Sequence, residues 1–185
     1  MMEHKGTKRL ETERLILRKY KITDAEEMFV NWASSPVVTR YLTWQPYTRT
    51  SDVRLYIKSR IEAYQQKDCY EWVIEWKQNH QVIGSISVVN IDEQKNCAEV
   101  GYCLSEAYWG QGIMTEAFRT VIRFLFCDVG FERIEAKHDS RNSASGKVME
   151  KCGLKIENLV PRDSESTENA VKTVVRALFR KDYRP

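Results

Sequence analysis

The chain has 185 residues, of which 42% are hydrophobic and 30% charged, with a net charge of +3. This length suits one sizeable core, so we expect a single domain over residues 1–185, with residues 1–11 as a flexible N-terminal extension. The small, dispersed excess of basic residues does not favour nucleic-acid or membrane binding. No apolar run approaches the ~20 residues of a membrane span, and no signal peptide is visible. We therefore expect a cytoplasmic protein.

The N-terminal part of the chain alternates short apolar runs with polar segments. Residues 15–17, within RLILRKY, read as a first strand. In the following segment, Thr23 and Glu26 have the spacing of a capping box for a short helix. A stripe of apolar residues at helical spacing then predicts a longer helix over residues 50–66.

The middle of the chain predicts three successive strands. Residues 70–76 and 81–91 are separated by a short polar stretch and read as a hairpin. Residues 97–104 (CAEVGYCL) form the next strand, in which Ala98, Val100, Tyr102 and Leu104 lie on one face and Glu99, Gly101 and Cys103 on the other. Glu99 is thus an acid in a strand whose composition otherwise suits burial.

The C-terminal part alternates helices and strands. A helix that ends near Gly130 is predicted by apolar residues at helical spacing, which form one face: Phe118, Val121, Ile122, Leu125 and Phe126. A strand over residues 133–138, a helix over 142–153 and a closing strand over 171–179 follow. A run of antiparallel strands followed by alternating helices and strands predicts a mixed α/β fold.

Two glycines, Gly110 and Gly112, lie immediately before the helix that starts near residue 113. Glycines permit unusual backbone angles there, and the first N–H groups of a helix bind anions readily. A tight strand-to-helix turn explains the same pattern, and the spacing alone leaves both interpretations open. The P-loop and dinucleotide-binding patterns are absent.

Two segments, AEVGYCLSEAYWGQGIMTEA and NSASGKVMEKCGL, resemble the acetyl-CoA-binding motifs of the GNAT superfamily of N-acetyltransferases. From Thr12 to the closing strand, the chain is most similar to the branch of ribosomal-protein N-terminal acetyltransferases. The resemblance implies a largely antiparallel central sheet, splayed between the fourth and fifth strands and flanked by helices. It also implies acetyl-CoA as cosubstrate and direct attack by an amine, either the N-terminal α-amine of a protein or peptide or a small amine.

The family motif Q/R-x-x-G-x-G/A falls on residues 109–114, where Trp109 and Met114 depart from the general pattern. The resemblance implies that backbone N–H groups of this turn bind the diphosphate of CoA, which gives as cofactor residues Gly110, Gln111, Gly112, Ile113, Met114 and Thr115. The splayed strand would pair with the pantetheine arm through Tyr102, Cys103 and Leu104. Asn142 matches an asparagine that contacts the cofactor, and a helix N-cap is the alternative.

Glu99 is the candidate catalytic base, directly or through water, with a salt-bridged strand acid as the alternative. In many family members a tyrosine assists the leaving sulfur, but Met149 occupies that position and cannot donate a proton. Ser145 matches a serine of the ribosomal-protein branch and is expected to donate a hydrogen bond to the sulfur, with helix-start hydrogen bonding as the alternative. The missing tyrosine leaves open a module that binds acyl-CoA without turnover.

An α-amine with a pKa of ~7.7–8.0 is partly neutral at physiological pH, whereas a lysine amine at ~10.4 is almost fully charged. An α-amino acceptor therefore demands less of a base. His138 is expected to be structural or exposed, and Cys103 is not expected to act as a nucleophile. The acidic segment with Asp163, Glu165 and Glu168 either attracts a cationic amine or is a solvated loop.

The five cysteines are an odd number, and no two of them form a C-x-x-C pair. We expect reduced thiols, with no disulfide framework and no metal site. No sequence feature fixes an oligomeric state.

Overall fold

A computed structural model describes residues 2–161 and 171–184. Within these residues, eight strands form one sheet in the order β1-β2-β3-β4-β5-β6-β8-β7. The strands are β1 (Leu10–Glu11), β2 (Leu15–Arg18), β3 (Glu71–Trp76), β4 (Val82–Asp92), β5 (Cys97–Leu104), β6 (Arg133–Asp139), β7 (Lys155–Pro161) and β8 (Lys172–Phe179). The helices are α1 (Ala25–Met28), α2 (Pro36–Thr39), α3 (Thr50–Ala63), α4 (Ile113–Arg123) and α5 (Ser143–Lys151). The turns Phe29–Ala33 and Phe124–Val129 extend α1 and α4.

The sheet opens between β5 and β6, which are its parallel pair. These strands pair only over Cys97–Glu99 and Arg133–Glu135. Beyond Glu99, β5 continues to pair with β4 as far as Leu104, while β6 pairs with β8. This is the predicted splay, since β5 and β6 are the fourth and fifth strands expected from the sequence. The mixed α/β fold with a largely antiparallel sheet is therefore confirmed.

Apolar side chains pack on both faces of the sheet. The larger cluster buries the predicted face of α4, including Phe118 and Phe126, against Val100 and Leu104 of β5. The second cluster lies under α1 and α3, and Cys103 packs against it from the opposite face of β5. The predicted alternation of β5 side chains is therefore observed. No helix in residues 2–161 or 171–184 is long and apolar enough to cross a membrane.

The start of the first helix differs from the predicted capping box at Thr23 and Glu26. Asp24 caps the turn instead, because its carboxylate accepts a hydrogen bond of 2.7 Å from the backbone N–H of Lys21. The same carboxylate pairs with Arg18 in a buried contact, which fixes its direction. Glu26 points outward and pairs with Arg54, so the predicted capping box is wrong.

The N-terminal segment, for which we expected flexibility, makes specific contacts in the structure. The N–H of Glu3 donates to the carbonyl of Val129 at 2.8 Å. The N–H of Gly6 donates to the carbonyl of Lys67 at 2.7 Å, and the hydroxyl of Thr7 is buried and donates to a nearby carbonyl. These bonds tie the segment to the end of α4 and to the approach to β3.

Candidate active site

The glycine turn before α4 exposes backbone N–H groups. Gly110 and Gly112 both have φ of +74°, in the left-handed region that favours glycine, and Gly112 is the residue from which α4 begins. None of the N–H groups of residues 111–115 donates a hydrogen bond to a described residue. With the positive end of the helix dipole, these groups form a suitable site for an anion. The turn therefore offers an anion site in addition to connecting β5 to α4.

Side chains of the turn are used to hold its shape. The indole N–H of Trp109 donates to the carbonyl of Leu104 at 2.8 Å, and the amide of Gln111 donates to the carbonyl of Ala107 at 3.0 Å. Met114 is buried in the core beneath the turn. Trp109 and Met114 depart from the family pattern in side chain only, so the N–H groups of the backbone keep their direction.

Beyond Glu99, the edge of β5 that faces β6 has no strand partner among the described residues. Tyr102, Cys103 and Leu104 lie on this stretch and pair with β4 on their other edge. A free strand edge can pair with an extended ligand in the manner of another strand. The predicted place of the pantetheine arm is thus an open edge.

Ser145 lies in the first turn of α5 and contacts β5. Its hydroxyl oxygen is 3.0 Å from the phenol oxygen of Tyr102, and its backbone carbonyl accepts from the same phenol at 3.1 Å. Its N–H donates to the side-chain oxygen of Asn142 at 3.1 Å, so Asn142 is the N-cap of α5. Burial raises the pKa of Tyr102 well above its usual value, so the phenol keeps its proton at neutral pH.

Tyr102 is a functional candidate through its side chain, which sequence reasoning overlooked. Only its backbone was expected to act, as part of the open edge of β5. Met149 is buried in the core and offers no donor. The phenol of Tyr102, which lies on β5, nevertheless contacts Ser145 of α5. The alternation of side chains along β5 places Tyr102 on the face toward α5, and this pattern could have indicated the contact.

Glu99 lies at the last paired position of β5, opposite Glu135 of β6 and directly before the opening. Its carboxylate accepts a hydrogen bond of 2.7 Å from the ammonium of Lys137. Because side chains alternate along a strand, Glu99 and Tyr102 project from opposite faces of β5. The salt-bridged alternative is thus what the structure contains, and the catalytic role of Glu99 stays a prediction.

Cys103 lies on the same face as Glu99. Its sulfur is 3.3 Å from the hydroxyl of Ser85, and burial raises its pKa to about 11. At neutral pH this side chain is a thiol and a poor nucleophile. That Cys103 does not carry the acetyl group stays a prediction.

His138 projects toward α5 near Ser145. One ring nitrogen lies 2.9 Å from the carbonyl of Asp139, and the other is buried without a hydrogen-bond partner among the described residues. The ring packs so closely on Gly146 that a methyl group there would lie 2.9 Å from it. His138 therefore packs against α5, as a structural histidine would.

Glu71 of β3 is a buried carboxylate on the α1 and α3 face of the sheet. On β3 it is two residues from the position that lies in the same cross-strand row as Cys103. Glu71 accepts a hydrogen bond from the phenol of Tyr56 and lies 3.6 Å from the guanidinium of Arg60. Burial raises its pKa despite these partners. Sequence reasoning did not single out Glu71, because an acid in an alternating strand reads as solvent-facing.

Among the described residues, no three His, Cys, Asp or Glu side chains are arranged to hold a metal ion. Asp163, Glu165 and Glu168 lie outside the described residues. The candidate site consists of the glycine turn, the open edge of β5 and the start of α5.

A glycine turn with free N–H groups beside an opened sheet suits a ligand that has a diphosphate and an extended arm, as coenzyme A has. Residues 14–155 match the family described as "Acetyltransferase (GNAT) domain". The chain belongs to this family, and it is an N-acetyltransferase with acetyl-CoA as cosubstrate.

One relative is "Uncharacterized N-acetyltransferase p20" of Bacillus licheniformis, which is 30% identical over 174 residues, or 94% of this chain and 97% of that protein. RimL, a ribosomal L7/L12 α-N-protein acetyltransferase solved with coenzyme A, superposes with a TM-score of 0.81 at 18% identity, covering 93% of this chain and 98% of RimL. The ribosomal-protein-S5-alanine acetyltransferase of Vibrio fischeri gives a TM-score of 0.74 at 24% identity, covering 96% of this chain and 100% of that one. These structural likenesses establish the fold alone.

Proposed function

We propose that this N-acetyltransferase acetylates the α-amine of a protein or peptide N-terminus. The observation that carries the proposal is that three carboxylates on one face of the sheet, in β5, β6 and β3, already have partners. Glu99 pairs with Lys137, Glu135 with Arg133, and Glu71 with Tyr56. An α-amine with a pKa of ~7.7–8.0 already supplies a neutral nucleophile, whereas a lysine amine at ~10.4 needs a strong base. The solved relatives whose names specify ribosomal-protein substrates support the same acceptor class.

The cofactor contacts follow from the turn and the strand edge. N–H groups of residues 111–115, with Gly110 and Gly112 shaping the turn, would hold the diphosphate of acetyl-CoA. Tyr102, Cys103 and Leu104 would pair with the pantetheine arm through their backbone. The side chain of Asn142 already caps α5, so its contribution to the cofactor would be indirect, through the placement of Ser145.

In the transfer step, the neutral amine attacks the thioester carbonyl carbon and the C–S bond then breaks. A backbone N–H of the open β5 edge would donate to the developing oxyanion. Glu99 would accept the proton that the amine loses, directly or through water. Ser145 would donate a hydrogen bond to the departing thiolate, while the phenol of Tyr102 orients the serine hydroxyl.

An aromatic cluster on the α1 and α3 side is the proposed approach for the acceptor. The rings of Trp44 and Tyr47 lie 5.7 Å apart, and those of Tyr47 and Tyr56 lie 6.5 Å apart. All three residues are half-buried, and Tyr56 reaches Glu71. Ring faces attract cationic amines, so this cluster would collect a charged amine before it loses its proton.

A matched pair of peptides tests the proposal. Both carry the same sequence with one internal lysine, and only one of them has its N-terminus blocked. We expect acetyl-CoA-dependent release of CoA with the free peptide and only background release with the blocked peptide. Equal release with both peptides would show that the lysine is the acceptor and would overturn the proposal.

A further inference from the structure

The side chain of Arg14, at the entry to β2, bridges two parts of the cofactor turn. One guanidinium nitrogen donates to the backbone carbonyl of Gln111 at 3.1 Å. The Nε donates to the carboxylate of Glu116, in the first turn of α4, at 2.7 Å. The indole ring of Trp76 lies 5.7 Å from the guanidinium carbon and supports its plane. Arg14 thus contacts the turn through its backbone and through α4 at once.

The contact with Gln111 fixes the direction of one peptide plane. In a trans peptide the carbonyl and the following N–H point to opposite sides. Because Arg14 holds the carbonyl of Gln111, the N–H of Gly112 points away from the guanidinium. Glycine at position 112, with φ of +74°, lets this peptide take that orientation without strain from a side chain.

The contact with Glu116 compensates a negative charge close to the proposed diphosphate site. A carboxylate in the first turn of α4 would repel a diphosphate at the same helix end. Burial of Glu116 disfavours its charge, but hydrogen bonds from Thr12 and Arg14 outweigh burial and lower its pKa, so the group is anionic. The backbone N–H of Arg14 also donates to Glu116 at 3.1 Å, which holds the carboxylate toward β2.

We propose that Arg14 is a positioning residue for acetyl-CoA, which orients the Gln111–Gly112 peptide toward the diphosphate and neutralises Glu116 beside it. The inference rests on the proposed role of the turn as the diphosphate site. It goes beyond that role because Arg14 lies 97 positions from Gln111 in sequence and is not part of the turn.

The test measures binding of CoA and of pantetheine, which lacks the diphosphate, by calorimetric titration. In Arg14→Met, we expect the Kd for CoA to rise about 10- to 100-fold, as for the loss of charged hydrogen bonds. The Kd for pantetheine should stay unchanged, a split that general loosening of the fold would not produce. Arg14→Lys keeps the charge but cannot span both partners, and should fall between the wild type and Arg14→Met.

The double variant Arg14→Met with Glu116→Gln should bind CoA more tightly than Arg14→Met alone, because the uncompensated carboxylate is gone. Arg9→Met removes an exposed arginine paired with Glu11 and serves as the control that should bind like the wild type. CoA affinity unchanged in Arg14→Met, or an equal loss for pantetheine, would overturn the inference. Failure of the wild type to bind CoA would count instead against the proposed diphosphate site.

Discussion

The phenol oxygen of Tyr102 lies 3.0 Å from the hydroxyl oxygen of Ser145, which joins β5 to the first turn of α5. The phenol has one proton, which it can donate to the carbonyl or to the hydroxyl oxygen of Ser145; when it donates to the hydroxyl, the serine proton is available for another acceptor. In the proposed transfer step that acceptor is the departing sulfur. The two side chains would therefore act as a unit.

If they do, Tyr102→Phe should lower kcat about tenfold, the cost of one hydrogen bond of ~1.4 kcal/mol, with little change in the KM for acetyl-CoA. Ser145→Ala should lower kcat by about 10- to 100-fold. The double variant should be no worse than Ser145→Ala, because groups that act together are not additive. Steady-state CoA release measures all three variants.

Tyr108→Phe is the matched control, since its phenol only approaches the amide oxygen of Gln81 at 3.3 Å near the surface. It should retain wild-type kinetics. Additive losses in the double variant would show that Tyr102 and Ser145 act independently.

The ion pair between Glu99 and Lys137 allows a catalytic role to be separated from a structural one. If Glu99 is the base, Glu99→Gln should lower kcat/KM by about 10²-fold. Lys137→Met breaks the same ion pair and should leave most of the rate in place. The rate of CoA release at one fixed pH compares the two variants.

For an α-amine acceptor, the wild-type kcat/KM should rise with pH and level off near the pKa of the amine, at about 8. Equal effects of Glu99→Gln and Lys137→Met on rate and thermal stability would assign Glu99 a structural role only.

Direct transfer predicts that Cys103 is dispensable. Its thiol, with a pKa raised to about 11, remains protonated at neutral pH. Cys103→Ala should keep kcat within about twofold. Intact-mass measurement of the wild type after mixing with acetyl-CoA alone should show no acetylated enzyme. An acetyl group retained on Cys103 would establish a two-step route instead.

Two glycines of adjacent strands offer a matched pair for stability. A methyl group at Gly84 of β4 would lie 2.5 Å from the backbone carbonyl of Cys103, which cannot move without shifting the β5 edge. Gly84→Ala should therefore lower the free energy of unfolding by about 1–3 kcal/mol or more. A methyl group at Gly101 would meet only the side chain of Val89, which is 59% exposed and free to turn away.

Urea unfolding should thus show a larger loss for Gly84→Ala than for Gly101→Ala. The reverse order would mean that the close packing of β4 on β5 at the opening is not maintained in solution.

Local patterns in the sequence were sufficient for most of the fold. The alternation in β5 and the helical stripe of α4 are dictated by burial, and both appear as predicted. The edge strand β7 was not predicted, because every residue in it is exposed and no burial pattern marks it. The predicted capping box was wrong because the carboxylate of Asp24, not that of Glu26, caps the turn through the N–H of Lys21, and it also pairs with Arg18.

Only the parts of the candidate site that are formed by backbone groups could be predicted from the sequence. Gly110 and Gly112 indicate a turn of free N–H groups by their spacing before a helix. The partners of the charged and hydroxyl side chains come from distant strands, such as Lys137 for Glu99 and Tyr102 for Ser145. No local pattern specifies such pairs, because they depend on the register of β5 against β6 and α5.

The proposed acceptor is tested most directly by locating the transferred acetyl group. The enzyme would be incubated with isotopically labelled acetyl-CoA and a mixture of ribosomal proteins, peptides and small amines, and the products mapped by tandem mass spectrometry. We expect labelled acetyl groups on N-terminal α-amines. Label confined to lysine side chains or small amines would contradict the proposed acceptor, and the absence of label from every amine would contradict acetyl transfer itself.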